Sequence, residues 1–123
     1  VTGLLINIAI IDKNITYRES LKTLLEQVDG FRVVQDSPDG TWVKTVNEKL
    51  VQVIIMDGSI GNEKCKEIMN QLSQTGISSK TLILAMFKEE LDYDYGNAAV
   101  MLKSSGKNEF VRRIKSMFEV DVE

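Results

Sequence analysis

Short apolar runs recur along this chain, and two of them stop at an aspartate. Ile6-Asn7-Ile8-Ala9-Ile10-Ile11 leads to Asp12, and Val51-Gln52-Val53-Ile54-Ile55-Met56 leads to Asp57. A third run is Thr81-Leu82-Ile83-Leu84-Ala85-Met86, and a fourth, Ala98-Ala99-Val100-Met101-Leu102, stops at Lys103. Near-continuous runs of this kind suit parallel strands buried on both faces. In open parallel sheets, ligands and chemistry gather beyond the carboxyl ends of the strands. Two acids and a lysine are therefore expected to converge on one edge of one sheet.

The segments between the runs have helical period. Leu21, Leu24, Leu25 and Val28 recur at i, i+3, i+4 and i+7 within Ile15 to Val28, and Gly30 is the expected residue just past that helix. Phe31 to Asp36 reads as a strand, and Ser37-Pro38-Asp39-Gly40 as a turn or helix entry. Trp42, Val43, Val46 and Leu50 mark a second helix, and Cys65, Ile68, Met69 and Leu72 a third that Gly76 closes. Lys88 to Tyr95 is acidic and poorly patterned, two helical turns at most. Phe110, Val111, Ile114, Met117 and Phe118 pattern the last helix, reached through Ser104-Ser105-Gly106. Five βα units in succession predict an α/β fold with a doubly wound parallel sheet. The tail Asp121-Val122-Glu123 reads as a frayed end or the stump of a further domain.

The 123 residues suit one domain, 1–123, and 43% apolar with 27% charged content is ordinary for a globular chain. A net charge of −3 argues against nucleic acid as the partner of this domain. The sequence has no histidine and one cysteine, Cys65. Histidine metal sites, Ser-His and Cys-His nucleophile pairs and internal disulfides are thereby excluded, and a reducing compartment fits. The apolar runs are far too short to span a membrane, and the first residues lack a signal peptide's basic region. A cytoplasmic protein with no membrane contact is expected.

Ile10-Ile11-Asp12, Tyr17-Arg18-Glu19-Ser20-Leu21, Phe31-Arg32-Val33-Val34 with Asp39-Gly40, Val53-Ile54-Ile55-Met56-Asp57, Leu82 to Phe87 and Met101-Leu102-Lys103 occur in this order. Over nearly its whole length the chain thus resembles the receiver domain of two-component response regulators. The flavour is closest to receivers that precede a helix-turn-helix effector. The resemblance implies a flavodoxin-like (βα)5 sheet of order 2-1-3-4-5, with a shortened fourth helix. It implies a phosphorelay role in which Asp57 accepts a phosphoryl group from a sensor histidine kinase or phosphotransfer protein. Asp12 would lie in the acidic pocket, and Lys103 would neutralise the acceptor and its phosphoryl oxygens. Such a domain is no enzyme beyond its own phosphorylation and dephosphorylation. The family uses Mg2+, which here would take Asp12, Asp57 and the Ser59 backbone. A homodimer face on the fourth helix, fifth strand and last helix is common in the family.

The chain departs from that pattern where the chemistry is densest. Lys13 replaces the second acid, and an ammonium cannot ligate Mg2+. Ala85 replaces the hydroxyl residue ending the fourth strand, and Val100 the aromatic switch residue. Gly61 stands where a loop proline is common and Cys65 where a glycine is. Asp12, Asp57, Lys13 and Lys103 sum to zero charge without a metal. Opposite charges ~4 Å apart attract by roughly 4 kcal/mol at an effective dielectric near 20. An internal cation could thus replace the metal's charge, though not its oxygen template. Weak Mg2+ binding and a weak switch are expected, with a phosphorylation-independent interaction or dimerisation module as the alternative.

Blander readings stand beside these. Asp12 alone could be a helix cap, and Lys13 a solvated lysine. Cys65, Met69, Met101, Met117, Trp42 and Phe118 read as packing groups. Asp92-Tyr93-Asp94-Tyr95 is an interaction patch or a solvated loop. Gly58-Ser59-Ile60-Gly61 lacks the Gly-Lys-Ser/Thr ending of a phosphate loop. A flavin or nucleotide binder on the same fold is disfavoured, because Asp12 would repel the ligand's phosphate.

Overall fold

The apolar runs become five parallel strands, β1 (Ile6–Ile11), β2 (Phe31–Ser37), β3 (Val53–Asp57), β4 (Lys80–Ala85) and β5 (Ala99–Leu102). They form one sheet of order β2-β1-β3-β4-β5. The computed structural model describes residues 5–40, 51–74 and 79–118. Three α-helices lie within them: α1 (Ile15–Glu26), α2 (Asn62–Gln74) and α3 (Lys107–Ser116). The helix expected around Trp42 and the stop expected at Gly76 lie outside the described residues.

Strand alternation sorts the core into two layers. Ile8, Ile10, Val53, Ile55, Leu82 and Leu84 face one way and pack with Leu21 and Leu25 of α1 and Phe110 and Ile114 of α3. Ala9, Ile11, Ile54, Met56 and Ile83 face the other way and pack with Cys65, Ile68 and Leu72 of α2. With both faces covered, the stretches Ile8–Ile11, Val53–Met56 and Leu82–Ala85 carry no polar residue. Cys65 and Met101 are buried and Met69, Met117 and Phe118 half-buried against these layers, as packing groups. No helix among the described residues is long and apolar enough to cross a membrane.

Three details differ from the sequence reading. α1 ends at Gln27, whose backbone N–H donates to the Leu24 carbonyl, so Gly30 is not its terminating glycine. Gly30 instead adopts φ +89° in the turn into β2, where its carbonyl accepts from the Ile6 N–H at 2.6 Å. β2 carries a bulge: Ile8 pairs with Val33 but Ala9 with Gln35, leaving Val34 as the extra residue. The third strand starts at Val53 rather than Val51, although Val51 is buried.

The crossover from β4 to β5 holds a single 3-10 turn, Lys88–Asp92, in place of a fourth helix. One Glu90 carboxylate oxygen accepts from the backbone N–H groups of Met86 and Phe87, both at 2.8 Å. Asp94 binds the Gly96 N–H at 2.9 Å and the Lys66 ammonium at 3.3 Å. Tyr95 then turns inward and is almost wholly buried in the layer beneath α2.

Candidate functional site

Register places the chemistry. Ile11 lies beside Met56, so the next residues, Asp12 and Asp57, emerge together at the carboxyl edge of the two central strands. Ala85 pairs with Leu102, and the Lys103 N–H donates to the Ala85 carbonyl at 2.8 Å. Lys103 thus starts two strands from β3, roughly 10 Å away at ordinary strand spacing. Its stem crosses the end of β4. The ammonium reaches Asp12 Oδ2 at 2.8 Å and Asp57 Oδ1 at 3.2 Å. All three side chains are buried, at 2%, 4% and 8% exposure for Asp12, Asp57 and Lys103.

The local chain holds each carboxylate. Asp12 Oδ1 accepts from the Asn14 N–H at 2.8 Å, and Asn14 in turn caps α1 by accepting from the Tyr17 N–H at 3.0 Å. The Asp12 carbonyl accepts from Arg18 Nη1 at 2.5 Å, and Arg18 Nε pairs with Asp36 at 3.0 Å. Arg18 therefore ties the end of β1 to β2 through α1. Asp57 Oδ1 accepts from the Ser59 N–H at 3.0 Å and Oδ2 from the Ser59 hydroxyl at 2.6 Å. Glycine suits the close packing at Gly58: a Cβ there would lie 3.0 Å from both Ile83 Cγ2 and Tyr95 Oη and 3.2 Å from the Leu84 carbonyl oxygen.

Aromatic groups close the site. The Tyr17 ring centroid is 4.4 Å from Lys103 Nζ, a cation–π distance. Burial, then the charges of Asp12 and Asp57, push the Tyr17 phenol up to about 12. Burial and then Asp57 likewise push the Cys65 thiol up to about 12. Tyr95 is raised by burial first, then by Glu90 and weaker neighbours that include Asp57.

Of the residues singled out in the sequence, Asp12, Asp57 and Lys103 meet. Lys13 does not join them: it is exposed, and the ammonium between the carboxylates is that of Lys103 alone. The balance expected with Lys13 is therefore corrected. Among the described residues, two carboxylates and one ammonium leave the cluster at a formal charge of minus one. The physical reason is that Lys13 follows the last position of β1, where strand alternation no longer fixes direction. Ala85 is buried at the end of β4 with no hydroxyl to offer, and Val100 is half-buried on the α2 face. Among the described residues, the aromatic on that face is Tyr95, from the crossover rather than from β5.

Tyr17, Arg18, Ser59 and Tyr95 carry contacts that the sequence did not assign. Only Ser59 had a local signal, a hydroxyl two residues after a strand-end aspartate, where side chains bond backbone turns. As a magnesium site the donor set fits poorly. Among the described residues no three acids, cysteines or histidines cluster, and Lys103 stands between the two carboxylates present. The arrangement can hold a carboxylate nucleophile beside a fixed positive charge.

No family model matches the sequence, and no curated protein matches it by sequence. Solved structures match the fold throughout. The signal receiver domain assigned to response regulator NarL of Mycobacterium tuberculosis is 16% identical, with TM-score 0.76, 94% of this chain covered and 97% of that one. A CheY-like receiver domain from Methylobacillus flagellatus is 18% identical, with TM-score 0.74 and coverage of 92% and 98%. The complex of CheY6 with the P1 domain of CheA3 from R. sphaeroides gives 18%, 0.70, 93% and 97%. The chain thus has the fold of receiver domains.

Proposed function

We propose that this chain is the receiver domain of a two-component response regulator, with Asp57 as phosphoryl acceptor in a site that binds Mg2+ weakly. The observation that carries the reading is the Lys103 ammonium bonded to both strand-end carboxylates. Asp57 Oδ2 bonds the Ser59 hydroxyl and not the ammonium, which leaves it as the attacking oxygen. Attack would form an acyl phosphate at Asp57 as the donor's bond to phosphorus breaks. Lys103 would meet the charge arriving with the phosphoryl oxygens. The donor on this reading is a sensor histidine kinase or phosphotransfer protein, and its histidine has to come from outside this sequence, which has none. The match to a CheY protein bound to a CheA P1 domain supports that class of partner.

Incubation with acetyl phosphate and Mg2+, read by intact mass, tests the reading. Wild type gains one phosphoryl group and Asp57→Asn gains none; equal labelling of both would refute it. Calorimetric titration tests the metal. Millimolar or weaker affinity is expected, because Mg2+ has to displace an ammonium and finds no second acid at Lys13. Saturation well below millimolar would overturn this part.

A phosphorylation-independent interaction module is the second reading. It is favoured by Ala85, which offers no hydroxyl to a phosphoryl group. On this reading beryllofluoride leaves the amide NMR spectrum of Lys88–Leu102 in place. Widespread shifts there would exclude it.

A further inference from the structure

Among the described residues the ammonium of Lys103 has three partners. Two are the carboxylate oxygens of Asp12 and Asp57, at 2.8 and 3.2 Å. The third is the face of Tyr17, at 4.4 Å from the ring centroid. The Lys103 side chain is only 8% exposed, so little of it is left to water. A tetrahedral anion arriving on Asp57 needs a hydrogen bond from this same ammonium. To give one, the ammonium has to shift from its present place among these partners.

We propose that Tyr17 is a positioning residue that holds Lys103 closed on Asp12 and Asp57, so that anion capture at Asp57 competes with an ammonium–aromatic contact. The inference rests on Asp57 being the acceptor. Tyr17 suits the role because it is fixed from two sides. Its backbone N–H is bonded by the α1 cap Asn14, and its ring packs against the α1-side core that Leu21 and Leu25 build. Its phenol stays neutral beside the two carboxylates, so the ring presents a face rather than a charge. The contact is provided by the ring face, which phenylalanine shares and leucine lacks.

The test compares wild type, Tyr17→Phe, Tyr17→Leu, Tyr17→Met and Asp57→Asn at fixed Mg2+. Two readouts are used, beryllofluoride affinity and the NMR shifts of the Lys103 ε-methylene. The contact predicts ring-current-shifted ε protons in wild type and Tyr17→Phe, and ordinary shifts in Tyr17→Leu and Tyr17→Met. A merely structural role for Tyr17 would not produce that split. Beryllofluoride should bind Tyr17→Leu and Tyr17→Met tighter than wild type by between roughly two- and thirtyfold, the range of cation–π strengths. Tyr17→Phe should match wild type. Unshifted ε protons in wild type overturn the proposal whatever the affinities. So does equal or weaker binding by both ring-less variants while they remain folded. Beryllofluoride binding that survives Asp57→Asn faults the acceptor reading instead, and the ε-proton comparison still decides the Tyr17–Lys103 contact.

Discussion

Replacing Lys103 with methionine keeps a long unbranched stem and removes the ammonium. Asp12 and Asp57, 2% and 4% exposed, are then left facing one another with no cation between them. Breaking a buried ion pair by deleting one partner costs ~3–5 kcal/mol. The geometry supports the figure independently. Both carboxylate oxygens lie within 3.2 Å of one nitrogen, so they are no more than about 6 Å apart. Two like charges at ~6 Å repel by about 3 kcal/mol at an effective dielectric near 20. Urea unfolding of Lys103→Met at pH 7 should show a loss of that size, which for a chain of this length lowers Tm by roughly 10–20 °C. Adding Asp12→Asn or Asp57→Asn to Lys103→Met should recover part of the loss at pH 7. A deficit below ~1 kcal/mol at pH 7, or no recovery in either double variant, would refute the reasoning.

Gly58→Ala should cost ~1–3 kcal/mol, because its Cβ meets Ile83, Tyr95 and the Leu84 carbonyl. Combining it with Tyr95→Phe should recover part of the loss by urea midpoint, and full stability of Gly58→Ala alone would contradict the packing. The Cys65 thiol, raised from 9.0 to about 12, stays protonated in the fold while the unfolded chain loses its proton above pH 9. Stability should therefore fall as pH rises from about 9 towards 12, and Cys65→Ala should flatten that slope. Native Cys65 should also resist thiol reagents at pH 8, and rapid labelling without unfolding would count against its burial.

The unbroken apolar runs that made Asp12, Asp57 and Lys103 legible come from burial on both sheet faces. Ile54 and Ile55 pack in opposite layers and both are apolar, so the run marks a strand and its carboxyl edge. Lys13 was not legible on the same terms, because it lies past the last pairing of β1, where the turn of Asn14 into α1 decides its direction. Tyr17 and Tyr95 look like ordinary aromatic residues in their own segments. Their partners, Lys103 and Gly58, come from elsewhere in the chain, and no local pattern announces them. Arg18 is similar: Asp36 meets it only once β2 is beside β1. Gly30 misled because a glycine after a helical stripe has two uses, ending the helix or turning the chain into a strand, and here the second holds.

The β4–β5 crossover sets a limit on how this protein can change. Parallel neighbours need a return path of at least about a dozen residues. Met86 to Ala98 is scarcely more than that minimum, and part of it is spent on the 3-10 turn and the inward step of Tyr95. Deletions here would pull β5, and Lys103 with it, out of alignment with the acids. Insertions would meet no such barrier, so variation in length at this point can run only towards a longer chain.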